Sequence, residues 1–259
     1  MLSLHRLSRS EARGLQGLLF DLDDTLLDEG KLSEAAYSSL FRLQASGLRL
    51  VALTGRPASW AELVALMWPV EAAVAENGAL TFVRQGARVA LFDTVSAEER
   101  RRRGAALADL VEDARGAVPA LVPADDVKGR VSDFTFDIGE HQRASEETVQ
   151  RATAFALARG ARTTRSSVHL HFTFDRIDKA SGALVYLGST GLDVTEARTR
   201  FAFIGDSTND ASCFAAFRTT LGVANWRGEF SLTPRFSTER SRGAGFAEAA
   251  NHICLLREA

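Results

Sequence analysis

Apolar and polar positions in the first 75 residues alternate between two kinds of segment. Short, uninterrupted apolar runs are typical of buried strands in a parallel sheet, whereas apolar residues spaced three and four positions apart predict helices. In chain order these segments are the strand Leu18–Phe20, the helix 33–46, the strand Leu48–Leu53, the helix 58–67 and the strand Ala72–Ala75. Alternation of strand and helix predicts an α/β protein with a doubly wound, mainly parallel sheet.

The pattern changes in the middle of the chain, where alternating apolar residues replace the continuous runs. Such alternation predicts strands with one buried face, which usually pair antiparallel. The segments in order are a hairpin of Ala79–Val83 and Arg88–Phe92, a charged helix over about 96–115, a strand over 131–138, a helix over about 145–159 and a strand over 168–172. We interpret this stretch as an inserted α+β domain.

The first pattern returns after Asp178-Lys179. A helix over 180–189 leads to the apolar strand Phe201–Ile204, which ends at Gly205-Asp206. The sequence therefore predicts a core domain that is interrupted by a second, smaller domain. The predicted bounds are 1–84 and 177–259 for the core and 85–176 for the inserted domain.

Composition and charge argue against two classes of partner. The chain has 31 Lys and Arg against 33 Asp and Glu, so it lacks the basic surface that nucleic-acid backbones require. The basic stretch Glu98 to Arg103 fits a solvated helix face better than a nucleic-acid site. No apolar run reaches about 18 residues, so we expect no membrane partner. Cys213 and Cys254 are expected to be reduced thiols in a cytoplasmic protein.

Polar residues cluster where the predicted parallel strands end. Ligands of doubly wound sheets bind outside the carboxyl ends of the strands, so these clusters are candidates for one common site. The clusters are Phe20-Asp21-Leu22-Asp23-Asp24-Thr25, Thr54-Gly55-Arg56, Lys179 and Gly205-Asp206-Ser207-Thr208-Asn209-Asp210.

Each cluster has a plausible chemical task. Asp206 and Asp210 are four positions apart at a predicted helix start, so we expect them to share one helix face. Gathered aspartates repel one another unless a hard cation joins them, and magnesium takes both carboxylate and phosphate oxygens. The backbone between Asp21 and Asp23 could form an anion-binding nest, and Lys179 would add a compact positive charge.

In this order the four clusters resemble the motifs of the haloacid dehalogenase superfamily of phosphohydrolases. The inserted domain, together with Ala75-Glu76-Asn77-Gly78-Ala79, is similar to the type IIB branch, which includes Cof-type, sucrose-phosphate and mannosyl-3-phosphoglycerate phosphatases. The resemblance implies an α/β fold: a Rossmann-like core with a mainly parallel sheet, plus an inserted α+β cap domain of the C2B type.

The same resemblance implies a division of roles. Asp21 would be the nucleophile that becomes an aspartyl-phosphate, and Asp23 would protonate the leaving oxygen and then activate water. Dehalogenases typically lack the second aspartate, so Asp23 favours phosphoryl transfer. A magnesium ion would be held by Asp21, Asp23, Asp206 and Asp210, and the phosphate by Thr54, Gly55, Lys179 and Asn209.

Four further residues are candidates for contact with the leaving group. Arg56 adjoins the predicted phosphate site, and Arg130, His169 and His171 belong to predicted cap strands. His169 and His171 should share one face of their strand. The alternative for all four is an ordinary polar position that faces solvent. Glu76 and Asn77 fit a hinge or strand-end role at least as well as ligand contact.

The predicted function is magnesium-dependent hydrolysis of a small phosphomonoester, a sugar phosphate or a phosphorylated sugar derivative. A mobile cap favours small-molecule substrates, because closure would exclude bulky ones. Two alternatives remain open. One is a phosphomutase of the phosphomannomutase type, and the other is a non-catalytic module that binds a phosphorylated ligand.

Overall fold

The computed structural model describes residues 1–166, 168–228 and 232–258. The helices of this part are α1 (Arg9–Gly14), α2 (Glu34–Ala45), α3 (Ala58–Met67), α4 (Ala97–Ala117), α5 (Glu146–Ala158), α6 (Lys179–Ser189), α7 (Val194–Arg200), α8 (Ala211–Ala216) and α9 (Arg242–Glu258). The strands are β1 (Leu2–Ser3), β2 (Gly17–Asp21), β3 (Arg49–Leu53), β4 (Ala72–Ala75), β5 (Leu80–Gln85), β6 (Arg88–Asp93), β7 (Val122–Pro123), β8 (Asp133–Asp137), β9 (Arg162–Arg165), β10 (His169–Thr173), β11 (Phe201–Ser207), β12 (Thr219–Arg227) and β13 (Phe236–Ser237).

Nine strands form the main sheet in the order β1-β13-β12-β11-β2-β3-β4-β5-β6. Neighbouring strands from β1 to β4 pair parallel, whereas the pairs β4–β5 and β5–β6 are antiparallel. This confirms the predicted α/β class with a mainly parallel sheet. Because β2 and β11 are adjacent and parallel, their carboxyl ends lie side by side, and the residues that follow them meet.

Helices cover both faces of the main sheet. Along β2, Leu18 and Phe20 pack in a core with α2, α3 and α9, whereas Leu19 packs on the opposite side with α6 and α8. This division follows from the two-residue period of a strand, and it explains why the strand reads as a continuous apolar run.

The second sheet has four antiparallel strands in the order β7-β8-β10-β9. Phe136 and Phe172 of this sheet pack against α4 and α5 on one face. The alternate residues Asp133 and His171 therefore lie on the other face. This second sheet with its two helices forms the inserted α+β domain that the alternating pattern predicted, and it is called the cap below.

The structure changes two expectations about the cap. The predicted boundary at residue 85 lies in a hairpin whose strands, β5 and β6, both belong to the main sheet. We therefore propose that the cap begins after Asp93. Strand β9, Arg162–Arg165, has the sequence RTTR, which contains no apolar residue, so the hydrophobic pattern did not indicate it. Within the described ranges, no helix is both long enough and apolar enough to cross a membrane.

Candidate active site

Asp21 and Lys179 form the centre of the site. Asp21 is the last residue of β2, and Lys179 is the first residue of α6, whose N-cap is Asp178. Lys179 Nζ donates to Asp21 Oδ1 and to Asp210 Oδ1, each over 2.7 Å, and its side chain is 1% exposed. Burial alone would lower the pKa of Lys179, but the two carboxylates raise it well above its usual value. The lysine is therefore a fixed positive charge.

Asp206 and Asp210 come together in a different way from the one predicted. Asp206 belongs to strand β11, and Asp210 ends a single 3-10 turn, Thr208–Asp210, so they do not share a helix face. Asp210 Oδ2 instead accepts hydrogen bonds from the backbone N–H groups of Asp206 (3.0 Å) and Ser207 (3.4 Å). A Cβ at Gly205 would lie 2.3 Å from Asp210 Oδ2, so this return of the side chain requires glycine.

The three buried carboxylates of Asp21, Asp206 and Asp210 can each place one oxygen within 4.8 Å of the others. Burial, together with the neighbouring carboxylates, raises the pKa of Asp21 well above its usual value and that of Asp206 to about 7. Lys179 is the one side-chain cation hydrogen-bonded to this group in the described part of the chain. Oxygen ligands and surplus negative charge fit a divalent cation of the magnesium type.

The loop after β3 is fixed by backbone hydrogen bonds from the end of β4. Asn77 N donates to Thr54 O and Glu76 N donates to Arg56 O, each over 3.1 Å, while Arg56 N donates to Thr54 Oγ1 over 3.0 Å. Both Glu76 and Asn77 adopt positive φ to make this contact. Gly55 and Arg56 line a cavity above Asp21, whereas the buried Thr54 hydroxyl is held within the loop.

Arg56 turns toward Asp23. Its Nε donates to Asp23 Oδ2 over 2.9 Å and its Nη2 donates to Asp23 Oδ1 over 2.6 Å. The guanidinium carbon lies 3.9 Å from the ring centroid of Trp60. Asp23, Arg56 and Trp60 all line the same cavity as Asp21. The sequence did not decide whether Arg56 contacts substrate or faces solvent. It also did not indicate the pair with Asp23, because the two residues are 33 positions apart.

The remaining predicted residue of the core, Asn209, also reaches the cavity. It lies in the 3-10 turn that follows β11, and its Oδ1 accepts a hydrogen bond of 2.7 Å from Ser207 Oγ. Asn209 lines the cavity next to Asp206 and Thr208. The clusters at the ends of β2, β3 and β11 thus meet at one edge of the sheet, as expected for parallel strands.

The cap supplies the other side of this cavity, whose volume is about 650 Å³. Arg130, His169 and His171 all line it, and each is paired with a carboxylate. His169 Nε2 lies 2.8 Å from Glu140 Oε2, and His171 Nδ1 lies 2.8 Å from Asp133 Oδ2. The volume lies within the range of small-molecule sites.

Arg130 connects the cap to the loop after β3. Its Nη1 donates to Asp133 Oδ1 over 2.9 Å and to Gly55 O over 3.1 Å, and its Nη2 donates to Asp126 Oδ2 over 2.7 Å. The side chain is almost fully buried. Burial would raise the pKa of Asp133, but Arg130 and His171 lower it below its usual value. Arg130 is therefore a cap–core contact as well as part of the cavity wall.

The sequence over residues 18–99 matches the family model of haloacid dehalogenase-like hydrolases. No curated protein sequence matches the chain significantly. Among solved structures, Thermoplasma acidophilum 0175 is similar with a TM-score of 0.75 and 19% identity over 92% of this chain and 98% of that one. The chain has a haloacid dehalogenase-like fold.

Two further structures with this fold are described as phosphatases. The sucrose-phosphatase of Synechocystis sp. PCC6803, in complex with sucrose and phosphate, has a TM-score of 0.65 and 15% identity over 92% of this chain and 98% of that one. The subclass IIB sugar phosphatase BT4131 has a TM-score of 0.62 and 16% identity over the same shares. The α/β fold with a mainly parallel sheet that the motifs implied is thereby confirmed.

Glu76 is a further contact between core and cap. Its Oε1 accepts from Ala58 N and Val131 N, each over 2.9 Å, and its Oε2 accepts from Ser132 N over 2.6 Å and from Asp133 N over 3.2 Å. Burial, with a contribution from Asp133, raises the pKa of Glu76 to about 7. The sequence placed Glu76 at the exit to the cap, but three of these four hydrogen bonds come from residues more than 50 positions away.

Proposed function

We propose that this protein is a magnesium-dependent phosphatase that hydrolyses a small phosphomonoester through an aspartyl-phosphate on Asp21. One observation carries the proposal. The Asp21 carboxylate lies on the floor of a cavity that the cap covers, with Lys179 Nζ 2.7 Å away and two further carboxylates beside it. A carboxylate nucleophile needs such an arrangement, because an incoming phosphoryl group brings negative charge that a cation and a lysine must offset.

The first half-reaction transfers the phosphoryl group to the protein. An Asp21 carboxylate oxygen attacks phosphorus, the bond from phosphorus to the leaving oxygen breaks, and Asp23 gives its proton to that oxygen. Lys179 keeps the attacking carboxylate in place through its hydrogen bond to Oδ1. Gly55 and Asn209, which line the cavity wall, would hold the phosphoryl oxygens, and Thr54 would support the loop.

The second half-reaction returns the nucleophile. Asp23, now ionised, takes a proton from water, the water oxygen attacks phosphorus, and the bond to Asp21 breaks to release inorganic phosphate. Without a catalyst, phosphate monoesters hydrolyse extremely slowly, and enzymes accelerate the reaction by up to about 10²¹-fold. A site that gathers a nucleophile, a proton carrier and fixed charges in one cavity meets that requirement.

The metal would be held by the side chains of Asp21 and Asp206 and by the backbone carbonyl of Asp23. Asp210 has both oxygens engaged, by Lys179 and by two backbone N–H groups, so we propose that it orients Lys179 and the β11 turn instead of binding the ion directly. When bound, magnesium would neutralise the acidic cluster and polarise a phosphoryl oxygen.

The substrate we propose is a sugar phosphate or a phosphorylated sugar derivative. Arg130, Arg165, His169 and His171 are each paired with a carboxylate. Among the described residues, the cap side of the cavity therefore offers no unpaired cationic side chain for a second anionic group. Such pairs place a donor next to an acceptor, which suits the hydroxyl groups of a sugar, because a hydroxyl both donates and accepts. The phosphatases of similar fold described as acting on or binding sugars support this choice. A cytoplasmic location remains our prediction.

Release of inorganic phosphate from a panel of sugar phosphates in the presence of magnesium tests the proposal. We expect turnover that EDTA abolishes, and an Asp21→Asn variant that stays folded but releases no phosphate. Isomerisation of hexose phosphates by the wild type, measured with a bisphosphate activator, would instead point to a mutase. If the Asp21→Asn variant kept near-normal turnover, the assignment of the nucleophile would be wrong.

A further inference from the structure

The carboxylate of Asp23 is held by a single side chain. Within the described residues, every hydrogen bond that the structure gives to this carboxylate comes from Arg56, through Nε to both oxygens and through Nη2 to Oδ1. The Asp23 side chain is 49% exposed, so packing alone does not fix its orientation. A planar guanidinium bound at two points does fix it, because it sets the plane as well as the position of the carboxylate.

Arg56 is itself held at its guanidinium and at its backbone. The Trp60 ring lies 3.9 Å from its carbon, in the geometry of a cation–π contact. The backbone of Arg56 is tied down by its N–H bond to Thr54 Oγ1 and by the bond from Glu76 N to its carbonyl. The positive φ of Glu76 and of Asn77 brings that segment against the loop. The guanidinium of Arg56 therefore extends into the cavity from a loop whose backbone is fixed by hydrogen bonds.

We propose that Arg56 is the positioning residue for proton transfer by Asp23, with Trp60 holding the guanidinium in place. The inference rests on the proposed function, since it concerns the proton that Asp23 gives to the leaving oxygen. Proton transfer requires heavy atoms within hydrogen-bond reach, and a displacement of about 1 Å can cost about 10²-fold in rate. A free Asp23 side chain would sample several rotamers, most of which point away from the leaving oxygen.

This role makes the effect of Arg56 depend on the leaving group. An alkoxide, as in a sugar phosphate, leaves only when it is protonated, whereas p-nitrophenolate is a weak base that leaves without a proton. Loss of Arg56 should therefore slow the first half-reaction with an alkyl phosphate far more than with p-nitrophenyl phosphate. A loss of fold or of phosphate binding would slow both substrates by the same factor.

The experiment measures the rate of leaving-group release in the first turnover, with magnesium, for p-nitrophenyl phosphate and for a sugar phosphate that the wild type hydrolyses. For Arg56→Gln we expect a fall of at least about 10²-fold with the sugar phosphate and of less than about 10-fold with p-nitrophenyl phosphate. Arg56→Lys should recover little of the lost rate with the sugar phosphate, because lysine keeps the charge but lacks the planar guanidinium that binds both carboxylate oxygens. Trp60→Leu should also slow the reaction with the sugar phosphate more than that with p-nitrophenyl phosphate, but by a smaller factor than Arg56→Gln does.

Arg49 provides a matched control. It forms a two-point pair with Glu71, with Nε and Nη2 each 2.8 Å from a carboxylate oxygen, and lies 5.3 Å from the centroid of Phe201, but it belongs to the opposite end of β3. Arg49→Gln removes the same kinds of contact and should leave the ratio of the two rates unchanged. Equal losses for both substrates in Arg56→Gln, or full restoration by lysine, would overturn the inference. A wild type that releases neither leaving group would overturn the proposed function and this inference with it.

Discussion

Replacing Lys179 by methionine removes the positive charge at the centre of the site while keeping most of the side-chain volume. The Nζ atom is shared by Asp21 and Asp210 at 2.7 Å each, and all three side chains are buried. Removing one partner of a buried ion pair costs about 3–5 kcal/mol, because the remaining charge is left without compensation. At about 2–4 °C per kcal/mol for a chain of this size, the unfolding midpoint should fall by about 6–20 °C.

Differential scanning calorimetry at neutral pH measures this change, first with EDTA and then with excess magnesium. Magnesium should raise the midpoint of the Lys179→Met variant more than that of the wild type, because the cation then neutralises the carboxylates alone. Lys31→Met is the matched control, since Lys31 is exposed and its loss should change the midpoint little. A Lys179→Met midpoint within about 2 °C of the wild type would refute the electrostatic account of the cluster.

Two further predictions concern pH. The pKa of Asp206 is raised to about 7, so below that pH a proton must leave when a metal binds, and magnesium affinity should fall about tenfold per pH unit. Isothermal titration calorimetry measures this affinity. An affinity that stays constant on acidification would contradict the acidic cluster as the metal site. The pKa of Glu76 is raised from 4.5 to about 7, because the folded state binds this proton more tightly than the unfolded chain does. The protonated carboxyl therefore contributes about 3 kcal/mol to the free energy of unfolding below about pH 4.5, and this contribution is lost as pH rises through about 7. Asp21 and Asp206, whose pKa values are also raised, add a slope of the same sign, so urea unfolding across this range should show a smaller slope in Glu76→Gln than in the wild type, with the difference amounting to about 3 kcal/mol over the range. An unchanged slope in the variant would remove Glu76 as a source.

Much of the architecture followed from local pattern. The continuous apolar runs of β2, β3 and β4 predicted a parallel sheet, and the alternation of β8 and β10 predicted a two-sided antiparallel one, because burial on one or both faces leaves a direct trace in the sequence. The polar clusters at the strand ends could be placed at one edge for the same reason. These expectations needed only the period of a strand and the direction of a parallel pair.

What could not be predicted depends on contacts between distant residues. The Arg56–Asp23 pair and the hydrogen bonds that residues 131–133 donate to Glu76 have no local signature, since the side chains could equally face solvent. The helical spacing of Asp206 and Asp210 was misleading because Asp210 bends back to the backbone of Asp206 from a 3-10 turn. Strand β9 has no apolar residue, so its pairing with β10 leaves no hydrophobic pattern in the sequence.

The most direct test of the account is chemical capture of the intermediate on Asp21. The protein would be mixed with magnesium and a substrate, quenched during turnover and reduced with borohydride, which converts an aspartyl-phosphate to homoserine. Mass spectrometry of the peptide that contains Asp21, Asp23 and Asp24 then locates the change. The account predicts homoserine at position 21 and nowhere else in that peptide. Homoserine at another aspartate, or turnover with none at all, would contradict it.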